Sequence, residues 1–318
     1  MKKYLILILL LFIVSLTGCE IINLLFYNDK PHEYNPQKAG AEITATIILP
    51  SKPHYVSYAN SHCYILNDNN ISVYDLTNDQ LSLDYQIPFN VKTAFQDESG
   101  DYKYSINKCS GILVMQNTIS CVISVIKQNK RNSDEKINFW DVLSVKYDVQ
   151  GDKWSDVTSD TRNFPIKNLD YNQAYWYDNS GDILYAGSYG RTAKDNVFIR
   201  QFRYNLETQE YTDIDSLELI FEQSSRTANS YIAIYLLHDI FLVRICERHG
   251  NGESDSYLSF YPQYQTNRTK RIHLNYLRIF NESYYPFFYY NGKIWLYHHG
   301  YDNEKKQAQY ELLKLKLL

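Results

Sequence analysis

Few groups in this chain fall at a spacing that chemistry would use. Cys246-Glu247-Arg248-His249 sets a thiol three residues from an imidazole. A Cys–His nucleophile needs the two in contact and a third group to orient the base, and the segment reads more simply as the end of a strand. Asp97-Glu98-Ser99-Gly100-Asp101 and Asp178-Asn179-Ser180-Gly181-Asp182 share the order D-x-S-G-D. Oxygens at alternate positions beside a glycine could hold Ca²⁺, but the later bidentate Glu of a calcium loop is absent and the second copy falls at an expected hairpin turn. His298 and His299 are adjacent, so on a strand they point to opposite faces, which suits a two-His metal site poorly. No G-x-S-x-G, H-E-x-x-H, phosphate loop or G-x-G-x-x-G occurs. The expectation is a chain without metal or cofactor, and no residue is assigned a catalytic role.

The elements that would position any site are strands. Of 318 residues, 31 are Tyr, and aromatics make up 15%. Aromatic and β-branched enrichment favours sheets. A hydrophobic fraction of 44% with 12 Gly and 8 Pro excludes disorder and collagen-like repeats. A formal net charge of −4 lacks the electrostatic footprint of a general nucleic-acid binder.

The N-terminus is read as processing signal rather than fold. Lys2 and Lys3 precede an apolar run, Leu5 to Val14, too short to span a membrane comfortably. Leu16-Thr17-Gly18-Cys19 follows, and this order resembles the lipobox of bacterial lipoproteins. The resemblance implies removal of residues 1–18, a diacylglycerol on the Cys19 thiol and an acylated amine, with residues 19–40 as a lipidated tether. Several acyl chains, at about 0.8 kcal/mol per buried methylene, anchor stably where one would not. The membrane is then a partner through the N-terminal lipid. In such lipoproteins Asp after the cysteine tends to hold the protein at the inner membrane, so with Glu20 in that place the resemblance implies the outer membrane of a two-membrane envelope, or the outer face of the cell where there is one membrane. That setting permits disulfides, and Cys63, Cys109, Cys121 and Cys246 are left as bridges or as buried free thiols.

From residue 41 onward, short apolar runs alternate with Asn, Asp, Ser and Gly clusters. Tyr74-Asp75-Leu76, Tyr147-Asp148-Val149 and Tyr204-Asn205-Leu206 each have a large apolar residue six positions after the Asp or Asn: Leu81, Trp154 and Tyr211. The carboxylate or amide caps a turn and the apolar residue opens the next strand. Hairpins precede each copy, as in Phe287–Tyr290, Asn291-Gly292, Lys293–Leu296, where Asn-Gly is a strong turn signal. The units start near 55, 112, 174, 232 and 287. Each reads as four antiparallel strands, the grammar of a β-propeller blade. The repeat is similar to kelch-like and WD-like propeller repeats in its Tyr-Asp turn, without the Gly-Gly pair of the one or the repeated Trp-Asp of the other. The last unit lacks a fourth strand, which 42–48 can supply. The expected fold is therefore all-β over 41–318: five blades, six if 89–110 hide another hairpin, with tandem β-sandwiches as the rival. Leu217–Phe221 is the best short helical candidate.

In a propeller the turns between second and third strands emerge on one face. Here they are 67–70, 128–136, 191–196, 248–255 and 301–307. They bring Lys130, Arg131, Arg191, Lys194, Arg248 and His249 to one rim, and long loops on a rigid scaffold commonly carry binding. The first functional reading is a non-enzymatic binding or scaffold lipoprotein that contacts envelope protein or glycan through this rim. The alternative follows from the propeller resemblance, since five-bladed propellers include glycosidases: a glycan-active hydrolase with two carboxylates at the ring axis, about 5–10 Å apart. The first strands carry no Asp or Glu, and Asp178 and Asp239 in first-hairpin turns are the nearest acids expected.

Overall fold

The structure, a computed structural model, describes residues 33–77, 79–95, 100–115, 117–159, 173–177, 183–191, 197–205, 211–219, 228–237, 240–248, 254–262, 270–279, 287–290, 293–302 and 307–318. For 115, 173–256, 261–262, 287–290 and 301–302 the description is of backbone alone. The signal segment, Cys19, Lys194, His249, Asp178 and Asp239 lie outside the described residues.

Sequence grammar becomes sheet topology almost unit by unit. A single helical turn, α1 (Pro36–Ala39), leads into β1 (Ala41–Ile48). Four strands follow in sheet 1: β2 (Tyr55–Ala59), β3 (His62–Leu66), β4 (Asn70–Thr77) and β5 (Gln80–Pro88). After a second turn of helix, α2 (Val91–Ala94), sheet 2 is built from β6 (Tyr102–Met115), β7 (Thr118–Asn129) and β8 (Lys136–Asp148), with the short β9 (Lys153–Trp154) and β10 (Thr158–Ser159) both paired to β8. Sheet 3 contains β11 (Gln173–Tyr177), β12 (Ile183–Arg191), β13 (Val197–Asn205) and β14 (Tyr211–Leu219). Sheet 4 contains β15 (Ala228–Leu237), β16 (Ile240–Arg248), β17 (Ser254–Pro262) and β18 (Lys270–His273). Sheet 5 contains β19 (Phe287–Tyr290), β20 (Lys293–Asp302) and β21 (Gln307–Leu317), and its fourth strand is β1.

That last pairing joins the two ends of the domain. β1 runs antiparallel to β21, from Ala41 opposite Leu317 to Ile48 opposite Glu311. The first strands of the sheets also contact in cyclic order: β2 with β6, β6 with β11, β11 with β15, β15 with β19, and β19 back with β2. Tandem sandwiches would pair sheets two by two, and this order does not. Among the described residues there are five sheets. Residues 102–111 belong to β6 and 91–94 form one helical turn, so the described part of 89–110 adds no further sheet. Leu217–Leu219 belong to β14, where Leu217 faces Ile199 and Leu219 faces Val197, so the helical expectation there fails.

Packing between sheets explains the apolar runs. In β3, Cys63 and Ile65 join one core cluster with Val56 and with Leu296 and Leu313 of sheet 5. The alternate residues Tyr64 and Leu66 join another with Ile106 and Ile123 of sheet 2. A strand buried on both faces loses the alternation of a half-exposed one. The outer strand β5 is mostly exposed, including Leu83 and Tyr85. The Tyr-Asp turns behave as expected: Tyr147 pairs with Trp154, their rings 5.3 Å apart, and Asp148 Oδ1 accepts from the Gln150 amide at 3.0 Å. Cys63, Cys109 and Cys121 are free thiols. Burial pushes all three up, Cys109 to about 12.

Candidate functional site

Antiparallel strands alternate direction, so the start of a sheet's first strand and the end of its second lie at one end. The connection entering each sheet therefore meets that sheet's second-to-third turn. In sheet 1, His54 stands just before β2, and its amide donates to the Leu66 carbonyl at 2.7 Å. Its Nε2 lies 2.7 Å from Asp68 Oδ1 in the turn between β3 and β4. Asn67 fastens the same turn, donating to Asn70 Oδ1 at 3.0 Å and to Ser72 Oγ at 3.2 Å.

Sheet 2 repeats the arrangement with the acid now on the entering connection and the basic group in the turn. Asp101 stands just before β6 and is half-buried. Its carbonyl accepts from the Lys130 amide at 2.8 Å, and its carboxylate meets Arg131 at 3.0 Å. Lys130 Nζ donates to the Gly100 carbonyl. Asn129 shapes the turn, accepting from the Arg131 amide at 2.9 Å and donating to Glu135 at 2.9 Å. The Asp101 carboxylate is thus engaged by a cation of its own turn. Among the described residues, no group of three or more His, Cys, Asp or Glu could hold a metal.

Of the six residues expected on the binding rim, Lys130 and Arg131 are together here. Arg191 ends β12 and Arg248 ends β16, each at the corresponding end of its own sheet. Lys194 and His249 lie outside the described residues. His298 and His299 do point apart: His298 is buried and its Nδ1 lies 3.0 Å from Glu311, while the His299 ring stacks on Tyr310 at 4.9 Å.

Three features escaped the sequence reading. His54, Asp68 and the Tyr102–Lys127 contact carry no motif. Lys127 Nζ sits 4.0 Å from the Tyr102 ring centroid and 6.0 Å from that of Tyr104. The one signal that could have found His54 is its position immediately before a first strand, which it shares with Asp101; the sequence offered Asp101 only as the end of a D-x-S-G-D segment, whose Asp97, Glu98 and Ser99 lie outside the described residues. The first strands themselves, YVSYA, YKYSINKCSGILVM, QAYWY, ANSYIAIYLL and FFYY, contain no Asp or Glu.

No family model and no curated protein matches the chain. Among solved structures it is similar to a GH43_1 enzyme from Xanthomonas citri, with TM-score 0.48 and 7% identity, covering 87% of this chain and 91% of that one. A thermostable family-43 glycoside hydrolase matches with TM-score 0.44 and 9% identity, over 90% and 93% of the two chains. RS223-Beta-xylosidase matches with TM-score 0.42 and 11% identity, over 90% and 95%.

Proposed function

We propose that the chain is a five-bladed β-propeller and a glycan-active hydrolase, working on the face where sheet-to-sheet connections meet the second-to-third turns. The observation that carries this reading is the cyclic contact of five first strands, closed by β1 on β21, with a carboxylate, Asp101, at the mouth of one of them. Glycoside hydrolysis needs two carboxyl groups flanking one bond, one to donate a proton and one as base or nucleophile. Asp101, oriented by Arg131, suits the charged role. First strands without acids leave the proton donor to the other connections, where the sequence supplies Asp160, Asp170, Glu222 and Glu282. The test is release of reducing ends from a panel of plant and bacterial polysaccharides. Asp101→Asn is expected to lower kcat at least about a hundredfold with its thermal midpoint kept. Unchanged turnover in that variant would remove Asp101 from the chemistry.

The second reading, a non-enzymatic module that binds glycan or envelope protein through the same rim, is favoured by those acid-free first strands. Binding of a glycan with no reducing ends released from any polymer would establish it over the first. In either case the chain is proposed to be lipidated on Cys19 and held at the envelope surface. Metabolic labelling with a fatty-acid analogue should mark the wild type and leave Cys19→Ala unlabelled.

A further inference from the structure

We infer that the outer end of sheet 2 is a binding lip for acidic glycan, a polymer of uronate-type sugars; the inference rests on the glycan reading and names its substrate class. The first three strands of sheet 2 run 14, 12 and 13 residues, against 5, 5 and 8 in sheet 1. Burial fades along them toward one end. β7 is buried from Ile119 to Val125 and half-buried from Ile126 to Asn129, while β8 is exposed from Lys136 to Asn138. Tyr104 and Phe139 still pack against the core with Phe95, and beyond them this end becomes exposed; it is the end that holds Asp101 and the turn through Lys130 and Arg131.

Both faces of the lip carry cations in register. On one, Tyr104, Lys127 and Ile137 are direct cross-strand partners, with Tyr102 opposite Asn129 beside them. Phe95 backs this face, stacked on Tyr104 at 4.9 Å and edge-on to Phe139 at 5.4 Å. Lys127 lies against the Tyr102 ring, and Ile137 is 54% exposed. On the other, Lys103, Gln128 and Lys136 form a matching row. Residues 101–103 and 127–136 hold five cations and three carboxylates in a chain whose net charge is −4. Two of those carboxylates are already engaged, Asp101 by Arg131 and Glu135 by Asn129. The Tyr102 ring and the exposed Ile137 suit the apolar face of a pyranose, with Tyr104 held beneath by Phe95, and the lysines beside them suit a carboxylate on that sugar. A neutral glycan would use the rings and leave the charge excess without a partner.

The test is affinity electrophoresis of the full chain in polygalacturonate, in neutral arabinoxylan, and with double-stranded DNA at matched charge. Retardation by polygalacturonate that weakens with salt is expected, with little retardation by the other two. Lys127→Met combined with Lys136→Gln should weaken polygalacturonate binding about tenfold, as two lost charge contacts would. Where that variant shifts the thermal midpoint, Lys103→Gln replaces it, since its side chain is exposed. Binding of neutral glycan with none of polygalacturonate overturns the inference and leaves the glycan reading standing. Equal binding of DNA, or full binding by the folded variants, also overturns it. Polygalacturonate bound but no polymer cleaved supports the lip and removes the hydrolase; no glycan bound at all removes both.

Discussion

Closure of the ring can be tested by locking it. Glu42 and Lys316 are direct partners across β1 and β21, and their side chains meet at 2.9 Å while half-exposed. Replacing both with cysteine places two thiols on neighbouring strands although they are 274 residues apart in sequence. A bridge closing a loop of that length removes about 5–6 kcal/mol of unfolded-chain entropy. The exposed ion pair it replaces is worth about 0–1 kcal/mol, so the net gain is roughly 4–5 kcal/mol, less any strain. At ~2 °C per kcal/mol for a domain this large, the oxidised thermal midpoint should rise by about 10 °C. Cys63 and Cys121 should not compete, because they are fully buried and held protonated well above neutral pH. Intact mass, non-reducing electrophoresis and urea midpoints with and without reductant give the readout. If both new cysteines are still alkylated after oxidation of the folded protein, β1 does not lie on β21 and the ring is open. If the bridge forms with no change in midpoint, the joint between the chain ends adds nothing to stability.

Three further outcomes follow from local geometry. Gly40 ends α1 at φ 75°, its amide on the Pro36 carbonyl, with the Arg271 carbonyl 3.4 Å from where a Cβ would sit; Gly40→Ala should cost about 1–2 kcal/mol in a urea titration. Glu311→Ala leaves the buried His298 without its 3.0 Å carboxylate partner, and a loss of about 1–3 kcal/mol is expected by the same measurement. The buried thiols set an alkaline limit. The folded state holds the Cys109 proton to about 12, while the unfolded chain releases it near 9.0, so this contribution is complete below pH ~9 and is lost between the two values. Stability should fall about 1.4 kcal/mol per pH unit for that thiol in this window, and urea midpoints of Cys109→Ala between pH 8.5 and 10.5 should show a shallower slope than the wild type.

Strand ends were far more legible than strand lengths. The Tyr-Asp turns and the Asn-Gly hairpin mark points where the chain must reverse, and reversal depends on residues close in sequence, so sequence reports it well. The extent of β6 was hidden because Lys103, Ser105, Asn107 and Lys108 interrupt the apolar pattern within 89–110, where the sequence left room for a separate hairpin. Two bulges, between Ile106 and Lys108 and between Cys109 and Gly111, break the alternation that would have exposed the strand. At Leu217–Phe221 the error went the other way: an apolar run with an intervening Glu resembles a helical face until pairing with β13 fixes Leu217–Leu219 as strand.

The same distinction decides what could be known about the site. Lys130 and Arg131 could be named because a long charged turn announces itself, and antiparallel order then required the preceding connection to meet it. Which residue of that connection would answer the charge was not encoded nearby: Asp101 lies 30 positions from Arg131, and His54 lies 14 from Asp68. Yet the absence of acids from all five first strands is visible in sequence and constrains the chemistry. On the propeller reading, a carboxylate that reaches the central opening would enter from a connection, where its direction is set by contacts such as the one Arg131 makes. Catalysis on this scaffold would therefore depend on the rim cations twice, once to aim the acid and once to hold an acidic substrate against it. Neutralising Lys127 and Lys136 should then raise KM on a polyuronate with little change in kcat, whereas Arg131→Ala should lower kcat itself.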